Sequence, residues 1–328
     1  MRSTSLKFAA QLILTMLLLG FVLRSVDPAV FWETIRSVDV GLLSLAILMF
    51  FPVQLLAAYR WHFLLKRFAR SVPFWSVVRH NMLGQFAALF LPGQISGDVV
   101  RTIAVANGQS GKATFALSVM IDKAALLAVT AAFALIGTLG SRLQSQFAGA
   151  YLVAPGLLML SLSAVFLLSR YRGDHVTRWL ISFGYKLPAH VQPSLLRIVA
   201  HLDVPQIPVH TTLVVLILAF GLQLAYTVGS FMTARAMHIT ISLVDWAAIN
   251  AVVSIVRVLP LTIGGLGIRE GVFASVLALY GVPVAQAIAF SLTSFVIVAV
   301  LTSLGWLVLD SIHMGRFQAH HHTSGGTT

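Results

Sequence analysis

Apolar residues run along this chain in long blocks, not in alternation. Blocks at 6–23, 41–59, 113–139, 151–169, 209–234 and 284–309 are each long enough to cross the ~30 Å hydrocarbon core of a bilayer as one helix. Two further apolar regions, 75–107 and 246–281, are cut near their middles, and the cut is the same both times. Residues 91–101 read L-P-G-Q-I-S-G-D-V-V-R and residues 259–269 read L-P-L-T-I-G-G-L-G-I-R. Counted from Leu91 and Leu259, the copies share Leu, Pro, Ile, Gly and Arg at offsets 0, 1, 4, 6 and 10. The helix breaks fall at Pro92 and Gly93 and at Pro260 and Gly264. Each is followed by an arginine, Arg101 or Arg269, about 1.5 turns into the next helical piece. Such paired interruptions predict two broken, re-entrant helical hairpins meeting in a membrane, the plan of repeat-built transporters.

Loop charge sets the topology. The 60–73 loop carries Arg60, Lys66, Arg67 and Arg70 without an acid. The 170–208 loop carries Arg170, Arg172, Arg178, Lys186 and Arg197 against Asp174 and Asp203. By contrast, 24–40 sets Arg24 and Arg36 against Asp27, Glu33 and Asp39, and 140–150 has only Arg142. Cationic loops stay in the cytoplasm. Both basic loops are cytoplasmic only if the first broken region returns to its own side. Both termini are then cytoplasmic, and the two hairpins enter from opposite faces. The expected fold is an all-α polytopic membrane protein with about six full spans and two re-entrant hairpins. It forms one transmembrane domain over 1–310, an inverted repeat of helix–helix–hairpin–helix units at 1–147 and 148–310. A disordered cytoplasmic tail follows at 311–328, carrying His320, His321 and His322. In the 170–208 loop, Trp179, Leu180, Leu195, Leu196, Ile198 and Val199 interleave with the cations, either as an interfacial amphipathic helix or as a solvated loop.

Composition agrees with this pattern. The 328 residues are 58% hydrophobic and 10% charged, with a mean hydropathy of +0.90, outside the range of soluble domains. In so apolar a chain a net charge of +12 points to cytoplasmic loops and anionic headgroups, not to nucleic acid. There is no cysteine, which excludes disulfides, thiolate metal sites and a cysteine nucleophile. Phe8–Leu23 has the length of a span and no small-residue cleavage site after it, so it is expected to remain as the first helix.

Charges inside the apolar blocks carry the candidate chemistry. Arg101, Lys123, Arg257 and Arg269 would each cost roughly 2.5 to 3.5 kcal/mol at a helix centre facing lipid, so they should face the protein interior. Helices starting near Ser96 and Gly264 would present free N–H groups and a positive dipole end beside Arg101 and Arg269. The glycines there, Gly93, Gly97, Gly264, Gly265 and Gly267, allow positive φ or close backbone approach. A helix N-terminus with an arginine is an anion site, and phosphate suits the guanidinium best. Asp98 and Glu270 stand close enough to pair with these arginines, which leaves a purely structural role open. Asp122 and Lys123, ten residues into the 113–139 block, need partners on other helices, possibly across the two units, and Arg257 is a third such charge. Arg60–Trp61 reads as an interfacial anchor, and His80 and Asn81 as interface or cap residues. There is no G-x-S-x-G, H-E-x-x-H or P-loop, so no catalytic residue, metal or cofactor is assigned.

The stretches A-Y-R-W-H-F-L-L at 58–65, L-P-G-Q-I-S-G-D-V-V-R, S-V-M-I-D-K at 118–123 and L-P-L-T-I-G-G-L-G-I-R-E-G at 259–271 resemble the transmembrane region of lysylphosphatidylglycerol synthase. This flippase-like resemblance runs over about 6–310. It implies a multi-pass inner-membrane protein linked to lipid translocation. The family's namesake adds a cytoplasmic aminoacyl-transfer domain, but only about 18 residues follow the last apolar block, so no synthase activity is expected here. The expected function is translocation of an anionic or phosphate-bearing lipid, phospholipid or polyprenyl, with membrane lipids as partners. Two alternatives stand beside it. One is an accessory subunit of a lipid- or glycan-biosynthesis enzyme. The other is an intramembrane transferase using Asp98, Asp122 or Glu270 as base.

Overall fold

Polar residues at the ends of the apolar blocks set the helix boundaries. Asp27 caps a short helix, α1 (Pro28–Arg36), by accepting from the Ala29 N–H at 2.8 Å. Asp39 does the same for α2 (Val40–Arg67) through the Leu42 N–H at 3.0 Å, and Lys66 and Arg67 sit in the last turn, where cations favour the dipole. The chain continues through α3 (Phe74–Ala88), α4 (Gly93–Ala106), α5 (Lys112–Gly140), α6 (Val209–Ala236), α7 (Leu243–Val256), α8 (Ile268–Ala278) and α9 (Val284–Ser324). This computed structural model describes residues 26–68, 71–91, 93–107, 112–140, 155–163, 207–258 and 261–324, with most of 11–24. Residues 155–163 are helical too, as are the described ones in 11–21.

Among the described residues, four helices are long and apolar enough to cross a membrane: Val40–Arg67, Thr114–Gly137, Val209–Ala236 and Val284–Ser311. Their outer faces carry exposed apolar stripes at helical spacing. Examples are Leu213, Ile217, Phe220 and Leu224 on α6 and Val296, Val300, Leu304 and Leu307 on α9. Stripes of this kind are stable only against hydrocarbon. The predicted block at 6–23 is described only in part, and most of the block at 151–169 lies outside the described residues, as does the basic loop at 170–206. Helix α9 runs on past the predicted end at 309 to Ser324, so the tail expected to be disordered is helical over 311–324.

The two broken regions form two pairs of short helices. At 15, 14, 14 and 11 residues, α3, α4, α7 and α8 are each about 16 to 23 Å long, too short to cross the core alone. Helix α3 packs on α4 and α7 on α8, and each pair is covered by the other half of the chain: α9 lies on α3, and α5 on α7. The exchange α2↔α6, α3↔α7, α4↔α8, α5↔α9 turns the packing pairs among α2 to α9 into one another. Trp61, Val78, Met82 and Phe115 form one apolar core beside the first pair, and Trp246, Ile249, Phe273 and Phe290 form another beside the second.

The breaks themselves touch. Gly93 N–H donates to the Thr262 carbonyl at 3.3 Å, and Gly264 N–H donates to the Leu91 carbonyl at 3.2 Å. These reciprocal bonds form one antiparallel bridge, and Thr15 Oγ1 joins it by accepting from the Ile263 N–H at 3.0 Å. Gly264 has φ +61°, and a Cβ there would stand 2.5 Å from the Leu89 carbonyl oxygen, so only glycine fits. Gly93, Gly265 and Gly267 also have positive φ. Gly97 does not; its role is close approach, since a Cβ on it would stand 2.3 Å from the Gly84 carbonyl oxygen where α3 crosses α4. Helix α4 starts at Gly93, three residues before Ser96, and α8 at Ile268, four after Gly264. Pro92 and Pro260 lie outside the described residues.

Candidate functional site

A cavity of about 260 Å³ lies where the two halves meet, bounded at one end by Gly93, Gly264 and Gly265 of the touching breaks. Its polar wall comes largely from the first half. Asp122, on α5 and 1% exposed, receives Arg60 Nε at 2.7 Å on one carboxylate oxygen and Arg101 Nη2 at 3.1 Å on the other. Arg101 also reaches Asp98 at 3.0 Å one turn back on α4, donates to Asn81 Oδ1 at 2.9 Å, and lies over the Trp61 ring at 4.6 Å. Lys123 pairs with the other oxygen of Asp98 at 2.8 Å. Three helices thus contribute to one chain of charges, with the Asn81 amide from a fourth, and every one of these charges lines the cavity. Lone charges at this depth would be prohibitively costly; paired and hydrogen-bonded, they are tolerated.

The second half contributes fewer charges. Gln223 and Tyr226 come from α6, Ser254 from α7, and Arg257 from the first residue after α7. Gln223 Oε1 accepts from Thr130 on α5 at 3.2 Å, tying the halves together. Arg257 has no ion-pair partner among the described residues, and its Nε is buried without an acceptor. The ionisable lining residues are therefore Arg60, Arg101, Lys123 and Arg257 against Asp98 and Asp122, a net charge of +2.

Of the predicted site residues, Gly97, Asp98, Arg101 and Gly265 line this cavity, together with Gly93, Gly264, Asp122, Lys123 and Arg257. Arg269, Glu270 and Gly267 do not. Arg269 and Glu270 form a buried pair of their own, with the Arg269 Nε 2.9 Å from Ser291 Oγ and its guanidinium 4.8 Å from the Phe295 ring. The second oxygen of Glu270 accepts from the Gly267 N–H at 2.7 Å, capping α8 from within. The free N–H group expected to meet an anion there is already taken.

Three expectations need correction. Arg60 and Trp61 are buried, at 3% and 0% exposure, not anchored at an interface. The apolar block ends at Tyr59, but α2 continues to Arg67, which puts Arg60 about two turns inside the helix. Asn81 is a buried acceptor for Arg101 rather than a cap. Asp122 and Lys123 find their partners within the first half, not across the two. The sequence held a usable signal for Arg60: three further cations without an acid follow it, and a buried aspartate 62 residues on needs a cation.

Long apolar helices, half-length pairs and charges turned inward define a multi-pass, all-helical membrane protein with a cationic interior cavity. The chain belongs to the lysylphosphatidylglycerol synthase TM region family, whose model matches residues 8–305. That is a family of membrane domains linked to lipid-related functions. Comparison with curated proteins and with solved structures gives no match.

Proposed function

We propose that the protein moves an anionic, phosphate-bearing lipid between membrane leaflets, sitting in the inner membrane with both termini cytoplasmic. On this reading α3–α4 and α7–α8 are re-entrant hairpins entering from opposite faces. The headgroup occupies the cavity while its acyl chains stay in the bilayer. The observation that carries the proposal is a cavity of net charge +2 between two touching helix breaks in an otherwise apolar bundle. The contact between the breaks suits a moving part: it consists of two backbone hydrogen bonds worth about 1 kcal/mol net each, so opening it is inexpensive.

The arrangement favours binding over proton transfer. Asp98, Asp122 and Glu270 are each paired with at least one cation, which occupies oxygens a general base would use.

The test is leaflet exchange in proteoliposomes, read by quenching of head-labelled lipids. Faster exchange of an anionic or polyprenyl-phosphate lipid is expected, with exchange reduced at least about tenfold by Arg101→Gln, a factor equal to roughly 1.4 kcal/mol. No acceleration for any such lipid would defeat the proposal. Exchange that appears only when a co-purifying enzyme is present would make the protein an accessory subunit.

A further inference from the structure

Five buried N–H donors point at the same unsolved partner. Arg60 Nη1, Asn81 Nδ2, Arg101 Nε, Gln223 Nε2 and Arg257 Nε are all buried with no acceptor among the described residues. All five side chains line the cavity. Arg101 can only donate, so Asn81 must turn its oxygen toward it and leave its NH2 free. Gln223 is placed the same way in this structure, its Oε1 toward the Thr130 hydroxyl. Meanwhile both oxygens of Asp122 are engaged by Arg60 and Arg101, and Asp98 is ion-paired with Arg101 and Lys123, though its buried Oδ2 accepts no hydrogen bond. Buried donors in this number do not stay unpaired, and they outnumber the orphaned acceptor Asp98 Oδ2, so what enters the cavity must bring acceptors.

Charge narrows the choice further. The lining is +2, and Arg257 faces the cavity from the half opposite Asp98 and Asp122. A phosphodiester supplies one negative charge. A terminal phosphate supplies nearly two at neutral pH, with three acceptor oxygens. An ammonium-bearing headgroup brings a positive charge into a lining that is already +2. We infer that the cavity takes a dianionic phosphoryl headgroup, a phosphomonoester or diphosphate lipid, and rejects aminoacylated and ethanolamine headgroups. Arg257 is the residue that sets this preference. The inference rests on the lipid-binding part of the function proposed above and says which lipid class is bound.

Binding is the readout, so that it stands apart from transport. Purified full-length protein in detergent is titrated with short-chain phosphatidic acid, phosphatidylglycerol and phosphatidylethanolamine, and affinities are read by native mass spectrometry. Phosphatidic acid should bind at least about tenfold tighter than phosphatidylglycerol, and phosphatidylethanolamine weakest. Arg257→Gln should bring phosphatidic acid down to the phosphatidylglycerol level, while Arg257→Lys keeps part of the difference. Equal affinities, or tighter binding of phosphatidylethanolamine, overturn the inference, as does an unchanged ratio in Arg257→Gln. If that variant does not fold, the ratio in the unaltered protein and in Arg257→Lys decides alone. Inorganic phosphate competing at concentrations equal to the lipid would keep the phosphoryl chemistry and make the ligand soluble. Selective binding without leaflet exchange would instead remove only the transport reading.

Discussion

Arg101 and Arg269 stand at the same offset from their breaks, and both are buried, at 6% and 4% exposure. Their surroundings differ. Arg269 is satisfied by its neighbour Glu270, by Ser291 and by the face of Phe295, and Glu270 also caps the helix that carries both. Arg101 is satisfied both locally, by Asp98, and at long range: its second acid, Asp122, is 21 residues away on another helix and is shared with Arg60. The second break is thus locally self-contained, whereas the first is lined by charges from three helices. The repeated motif keeps its arginine at the same offset, but its backbone differs: α4 starts at Gly93, two residues past Leu91, and α8 at Ile268, nine past Leu259, and the arginine's charge is internal in one copy and lines a cavity in the other.

The sharpest way to break this comparison is to remove the two acids. Asp122→Ala strands the buried Arg60 guanidinium, leaves Arg101 with Asp98 and Asn81, and should cost about 3 to 5 kcal/mol, read as a large drop in the detergent melting temperature and loss of monodisperse protein. Glu270→Gln strands one, keeps an acceptor for the Gly267 N–H, and should cost about 2 kcal/mol. If Glu270→Gln proves the more damaging, the first half does not depend on Asp122 as described.

Next in size is Gly264→Ala. The positive φ alone costs about 1 to 2 kcal/mol, and the new methyl would meet the Leu89 carbonyl. The bridge between the breaks should open, with a stability loss of about 2 kcal/mol and slowed leaflet exchange. Near-normal melting and exchange in this variant would show that the breaks need not touch.

How far the sequence spoke for itself differs between backbone and charges. The breaks were legible because Pro and Gly act locally, and Gly93 and Gly264 do adopt positive φ. The long apolar helices were legible because hydrophobicity over twenty residues has one cheap solution in a bilayer. Arg269 with Glu270 was legible as an adjacent pair. The Arg60–Asp122–Arg101 chain was not, because it depends on which helices lie side by side, and composition is blind to that. Arg60 was misplaced for a simpler reason: the end of an apolar run is not the end of a helix when the following residues, here Trp61 to Leu65, can also be buried. Nor could spacing reveal that Arg257 lacks an acid while its neighbours in the cavity share two.

The finest test separates glue from binding wall at the edge of the first half. Lys123 is 21% exposed on its side chain and, among the described residues, pairs only with Asp98, which Arg101 also holds. Lys123→Gln therefore leaves Asp98 with a partner and should cost no more than about 0.5 to 1 kcal/mol, close to an exposed pair. The same change lowers the cavity charge from +2 to +1. If that charge attracts the ligand, affinity for phosphatidic acid should fall about threefold to tenfold while melting barely shifts. A matched loss of stability with unchanged affinity would place Lys123 with the structural pairs instead. The first half would then hold its cavity open without using Lys123 to fill it.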